Sequence, residues 1–257
     1  MKRTLLQPRT RVLALLTAVG TAMLVTLGGV GTANAFTQPT EPDCSAYALC
    51  YLMNEPASPP AAMTPMIDSS PNHVNSIKIM QGITRDGSSY HFNKLGSVIA
   101  PNKPAAQVGT RDFKITVQLH LDTLVKPCAA GSCSQNFFQK GGFNLDPAHG
   151  QWKLEMSGTH VHCRIFGDQG EASLWIWNVG DSLTKGTGAT YWHTLTCSRV
   201  GTSVTLTVDG KHVTKTFTTG NVVNTRNVTI GGKGQGCGTD CDYTQGFINF
   251  ATLQYLS

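Results

Sequence analysis

Charge is scarce in this chain. Only 14% of its 257 residues are charged, and the formal net charge of +5 is uneven. Lys2, Arg3, Arg9 and Arg11 lie in the first 35 residues without one acid, leaving 16 basic against 15 acidic residues beyond Ala35. That balance excludes a counterion-release drive toward nucleic acid and a polybasic membrane footprint. Long amphipathic helices are absent, as is any Cys-x-x-Cys pair, which argues against structural zinc. The glycine-rich stretch 231–236 lacks the Gly-Lys-Ser/Thr that cradles phosphates and reads as a turn. No second long apolar run follows the first, so no membrane helix is expected downstream.

What is present begins with an address. Four basic residues precede the uncharged stretch 12–30, and Ala33-Asn34-Ala35 ends it. The pattern predicts a secretory signal peptide over 1–35, cleaved to leave Phe36. A retained signal anchor is the competing reading, and the well-formed Ala-x-Ala end favours cleavage. The expected location is secreted, with no membrane association after cleavage.

All eight cysteines lie beyond that signal, and an even count in an exported chain implies disulfides. Of the 105 pairings eight cysteines permit, spacing suggests one. Cys44/Cys50, Cys128/Cys133 and Cys237/Cys241 would each clip a local loop, leaving Cys163/Cys197 to cross-link two strands. A helix over 45–49 would fit the first pair poorly.

Seven of the twelve prolines fall between Pro39 and Pro71. Residues 36–62 therefore read as an extended Pro-rich arm with a helical turn near 46–53. From 63 to 257 the pattern is short strands and turns. In 112–121, Phe113, Ile115, Val117 and Leu119 share one face. Further strands are expected over 75–80, 89–92, 152–156, 161–166, 173–179, 192–200, 204–208, 212–217, 228–230 and 247–256. Asp209-Gly210 marks a hairpin turn. About a dozen strands predict an all-β two-sheet antiparallel sandwich. Cys163 shares a face with Val161 and Ile165, and Cys197 with His193 and Leu195, as an inter-strand bridge in a core requires.

Trp175 and Trp177 share one strand face, and Leu174 and Ile176 the other. With the aliphatics inward, two indoles make an outward platform for the C–H faces of sugar rings. The competing reading buries them, the commoner fate of Trp, under the N-terminal arm. Trp152 and Trp192 read as core residues. His160 and His162 share a face and suit either a metal with a third ligand or a solvent-facing pair beside Arg164, the latter preferred.

Several segments in order resemble the laminin-G-like jelly rolls of the concanavalin A-like lectin/glucanase superfamily, in their bacterial secreted form. They are Asp68-Ser69-Ser70-Pro71-Asn72-His73, Ser89-Tyr90-His91-Phe92, Asp112-Phe113-Lys114-Ile115 and Phe137-Phe138-Gln139-Lys140-Gly141. Trp192-His193-Thr194-Leu195-Thr196-Cys197-Ser198-Arg199 is the best block, followed by residues 204–211. Ile230-Gly231-Gly232 and Gly246-Phe247-Ile248 close the match, which spans roughly 63–257. The resemblance implies a jelly-roll sandwich of two curved antiparallel sheets, and leaves activity open. It also implies calcium as a candidate, with Asp68 and Asn72 in the matching loop and Asp240 and Asp242 near the end as ligands. The competing role for these four is capping turns.

Glucanases of this superfamily carry Glu-x-Asp-x-Glu on one strand. This chain has no such run, and Glu155 and Glu171 are isolated. Gly180-Asp181-Ser182-Leu183 resembles the nucleophile block of GDSL esterases, with Asp209 and His212 mimicking their base block. Only 27 positions separate Ser182 from Asp209, both sit in sandwich pattern, and the Gly-x-Asn-Asp block is missing. The match is read as accidental. The chain is accordingly expected to be a secreted non-catalytic module for a glycan or envelope polysaccharide. The alternatives are a glycoside hydrolase or lyase of the same fold, and a protein-binding adhesion or envelope component.

Overall fold

The structure is a computed structural model. It describes residues 40–57, 64–124, 134–142, 150–187, 191–234 and 241–256. The signal segment 1–35, Cys128, Cys133, Cys237 and Asp240 lie outside the described residues.

Alternation builds two antiparallel sheets. The first centres on β6 (Phe113–Leu121), whose Phe113, Ile115, Val117, Leu119 and Leu121 are fully buried. On one side of β6 follow β11 (His193–Val200), β12 (Ser203–Val208) and β13 (Lys211–Thr216). On the other side runs β15 (Gln245–Tyr255), then β4 (Tyr90–Asn93) and β3 (Ile83–Arg85). β1 (Leu49–Tyr51) pairs with the distal half of β15. The second sheet runs β10 (Gly170–Ile176), β9 (His160–Gly167), β8 (Gln151–Ser157), β7 (Ser134–Lys140), β14 (Val228–Ile230), β5 (Val98–Ala100) and β2 (Lys78–Ile79). The inner faces of both sheets feed one core, which joins Val117 and Leu195 to Leu154 and Leu174. The all-β two-sheet expectation therefore holds.

Asp209 and Gly210 both take positive φ, at 49° and 81°, and close the β12–β13 hairpin at Val208 and Lys211. Two-residue connections of this kind match the right-handed strand twist, and glycine adopts that conformation without Cβ strain.

The arm differs from its sequence reading. Cys44–Ala46 forms a short 3-10 turn, and Leu49–Tyr51 is a buried strand rather than part of a helical turn. The segment trades local helical hydrogen bonds for ladder bonds to β15, and Leu49, Cys50 and Tyr51 all lose contact with water. The turn at Cys44–Ala46, closed by the Tyr47 N–H on the Cys44 carbonyl, folds the chain back so that the Cα atoms of Cys44 and Cys50 lie 5.6 Å apart, and the pair is bonded.

Of the other three expected bridges, Cys163 on β9 and Cys197 on β11 are bonded across the two sheets, as their parity requires. Cys241 is buried and disulfide-bonded, and its carbonyl accepts from the Lys233 N–H. Its expected partner Cys237 lies outside the described residues, as do both members of the Cys128/Cys133 pair. Trp152 is a core residue at 1% exposure, but Trp192 is only half-buried, beside Tyr191.

Candidate functional site

The site grows from two consecutive hairpins. Gly158 and Thr159 connect β8 to β9 at Ser157 and His160, and Asp168 and Gln169 connect β9 to β10 at Gly167 and Gly170. Loops this short fix register, and register decides which side chains meet. Glu155, His162 and Trp175 fall in one row across the three strands, and Lys153, Arg164 and Ser173 in the next. All six share the outer face, because Leu154, Cys163 and Leu174 between them are buried in the core.

The row is welded together. His162 Nδ1 lies 2.7 Å from Glu155 Oε1, and its Nε2 lies 2.8 Å from Ser173 Oγ. Lys153 Nζ pairs with the same Glu155 oxygen. Burial lowers the pKa of His162 by more than Glu155 raises it. Burial also pushes the Glu155 carboxyl up, but the His162 hydrogen bond and the Lys153 charge outweigh it and hold it low. The consistent state is an ionised Glu155 beside a neutral imidazole, with Nδ1–H donating to Glu155 and Nε2 accepting from Ser173.

Trp175 lies flat on that imidazole, with ring centroids 3.7 Å apart and planes within 4°. Trp177 follows just past the end of β10, with its centroid 5.9 Å from that of Trp175 and a plane 28° away. His160 packs against Trp177 at 4.2 Å. Asn178 takes a positive φ of 59°, turning the chain away, and its N–H donates to His160 Nδ1. Trp175 is half-buried, whereas Trp177 is 60% exposed. Leu174 and Ile176 point inward, so the outward arrangement of the two indoles is the one adopted.

The other sequence candidates sit elsewhere. Asp68 is fully buried, and its carboxylate accepts from the N–H groups of Cys50, Ser70 and Val74 and from Ser70 Oγ. Asn72 Nδ2 donates to the Ala48 carbonyl and the Asn72 N–H to Ser70 Oγ, so Asp68 and Asn72 together shape the entry to β1. Asp242 belongs to another cluster, paired with Lys233 at 2.8 Å and accepting from Asn136. No group of three His, Cys, Asp or Glu suited to a metal occurs among the described residues. His160 and His162 share a face as read but are not a solvent-facing pair: His162 is buried, held by Glu155 and Ser173, and His160 receives the Asn178 N–H.

The candidate catalytic groups do not come together. Glu155 and Glu171 are offset by two strands and four residues, about 16 Å at ordinary strand spacing and rise, against roughly 5–10 Å in glycosidase pairs. Ser182 Oγ donates to the Val179 carbonyl at 2.6 Å, and His212 is exposed on β13 opposite Thr207. The order Ser173–His162–Glu155 resembles an acyl-transfer triad, but the adjacent cations Lys153 and Arg164 are paired with Glu155 and Glu171 rather than set to receive an oxyanion. A cavity of about 600 Å3 opens by Asn72, His73, Ile77, Lys103 and Pro104, and its lining contains no Trp, Tyr or Phe for stacking.

No family model matches the chain, and no curated protein does. Solved structures do. The receptor-binding domain of botulinum neurotoxin D superposes with a TM-score of 0.55 at 10% identity over 82% of this chain and 50% of that one. The serotype D ligand-binding domain in complex with N-acetylneuraminic acid gives 0.56 at 10%, over 82% and 48%. The binding domain of Paraclostridial Mosquitocidal Protein 1 gives 0.57 at 14%, over 82% and 50%. The chain thus spans about half the length of these structures, and the likeness establishes a jelly-roll-like β-sandwich fold.

Proposed function

We propose that this chain is a secreted, non-catalytic binding module that recognises a glycan through Trp175 and Trp177. The observation that carries the reading is the 60% exposure of Trp177 beside a Trp175 ring braced by His162. A large aromatic held in water is costly unless something stacks on it, and sugar C–H faces suit an indole. The fold adds support, since a structure sharing it was solved with N-acetylneuraminic acid bound. The laminin-G-like grouping belongs to the same proposal and rests on the order of the sequence segments. Secretion rests on the signal pattern over 1–35 and on disulfides, which persist in oxidising compartments. For calcium, Asp242 is the described carboxylate of the expected loop near the end of the chain.

A binding screen on a broad glycan and polysaccharide panel, with calcium and again with chelator, tests this. Saturable binding that is lost in Trp175→Ala and Trp177→Ala is expected. Loss of binding on chelation would place a calcium ion at or near the site. Failure to bind any glycan in either buffer would overturn the reading in favour of a protein-binding adhesion or envelope component.

A further inference from the structure

On the glycan-binding reading of Trp175 and Trp177, we propose that the ligand is an extended, uncharged, β-1,4-linked polysaccharide lying along β10 across several sugar rings.

The shape of the aromatic wall selects an extended ligand. His162 covers one face of Trp175, and His160 packs against Trp177. Both histidines stand on β9, so the two indoles are backed from the same side. β10 is the terminal strand of its sheet, so no described strand flanks the opposite faces. The rings are displaced by 5.9 Å with planes only 28° apart. Because Trp175 stacks onto a cross-strand neighbour, the displacement of Trp177 along the chain makes the pair a stepped surface, its rings offset rather than superposed. One pyranose covers one indole. Covering both requires a chain whose successive rings advance by about one ring length and stay nearly coplanar. An extended β-1,4-linked chain does this, and its equatorial substituents leave C–H faces open for stacking.

The charges around the wall favour a neutral ligand. Arg164 pairs with Glu171 at 2.8 Å, Lys153 with Glu155 at 2.5 Å, and His162 is held neutral. Each of these cations already has a carboxylate of the same sheet. A sialic or uronic carboxylate would meet cations whose charge Glu171 and Glu155 already offset, and would lie close to those like charges. An uncharged chain carries no such cost.

The outward face of β10 is long enough for several rings. Glu171, Ser173, Trp175 and Trp177 occupy alternate positions facing the same way. They span about 20 Å at the rise of a strand, room for roughly four sugar rings. Glu171 is exposed and Ser173 half-buried, so polar partners for sugar hydroxyls continue the line from the indoles.

The test is calorimetric titration of the full disulfide-bonded chain with cello- and chito-oligosaccharides of one to six units, and with lactose and 3′-sialyllactose. The expected result is a tetrasaccharide at least tenfold tighter than the monosaccharide in one series, little gain beyond four rings, and sialyllactose no tighter than lactose. Trp177→Ala should abolish the gain with length. Equal affinity at all lengths, or tighter binding of sialyllactose than lactose, overturns this inference and leaves the glycan site standing. So does binding on the broad panel with none to either oligosaccharide series. Binding that Trp177→Ala does not weaken, or none on any panel, overturns both.

Discussion

The imidazole of His162 lies parallel to the indole of Trp175, within 4° and at 3.7 Å, and its two nitrogens are engaged by Glu155 and Ser173. Neither ring is free to turn alone. A side chain on β8 thereby sets the plane of a ring on β10, two strands away. Pre-set aromatic surfaces bind with less loss of side-chain entropy than mobile ones.

This arrangement has a pH signature. The folded pKa of His162 lies below its unfolded value, burial being the largest cause. Between the two values the unfolded chain binds a proton that the native state does not, so stability rises with pH. The His162 contribution is present above the unfolded value, about 6.5, and is lost as pH falls through the folded one. His193 has the opposite sign. Burial opposes its charge, but Asp209 and the Lys185 carbonyl, which take its two ring nitrogens, raise its pKa. Its contribution is present below about 6.5 and fades as pH rises through the folded value. Urea titrations at stepped pH should show His162→Gln flattening the loss on the acid side and His193→Gln the loss on the alkaline side. Unchanged slopes in either variant would contradict the assignment.

The tryptophans should separate binding from folding. Trp177→Ala is expected to change stability by less than about 0.5 kcal/mol, because the ring is 60% exposed. Trp152→Ala, at 1% exposure in the core, should cost about 3–5 kcal/mol. Denaturant midpoints measured beside glycan titration would show binding lost at unchanged stability for Trp177→Ala.

The two disulfides described at both ends should differ in value. Cys163 and Cys197 enclose a separation of 34 residues and tie the two sheets, whereas Cys44 and Cys50 enclose 6. Loop-closure entropy predicts losses of about 4 and about 2 kcal/mol on paired Ala substitution. Equilibrium unfolding of the two double variants gives the comparison, and an equal loss would refute the entropic ordering.

Asp68 should prove structural. Removing its carboxylate in Asp68→Ala strands the N–H groups of Cys50, Ser70 and Val74 in a site closed to water, while the Ser70 hydroxyl keeps the Ala48 carbonyl within reach. A loss of about 3 kcal/mol is expected. Amide exchange at Cys50 and Val74 should accelerate more than exchange in β12, which shares no hydrogen bond with Asp68.

Much of the sandwich was legible along the chain, since alternation is a local signal. The face of Phe113, Ile115, Val117 and Leu119, the Asp209-Gly210 turn, and the inward parity of Cys163 and Cys197 all appear where the pattern puts them. β7 was harder to see, because a bulge between Asn136 and Phe138 breaks its alternation. β1 was missed because three residues in a Pro-rich arm carry no period, and only the waiting edge of β15 makes them a strand.

The site divides the same way. Sequence alone determined that Trp175 and Trp177 share a face opposite Leu174 and Ile176, because period two follows from backbone geometry. It did not determine whether that face met water. Tertiary structure decided this by making β10 the last strand of its sheet. Tertiary structure also brought Glu155, His162 and Ser173 into one hydrogen-bonded row. Strand order and inter-strand register are non-local quantities, set by how the whole chain buries its apolar faces, and no window along the sequence contains them.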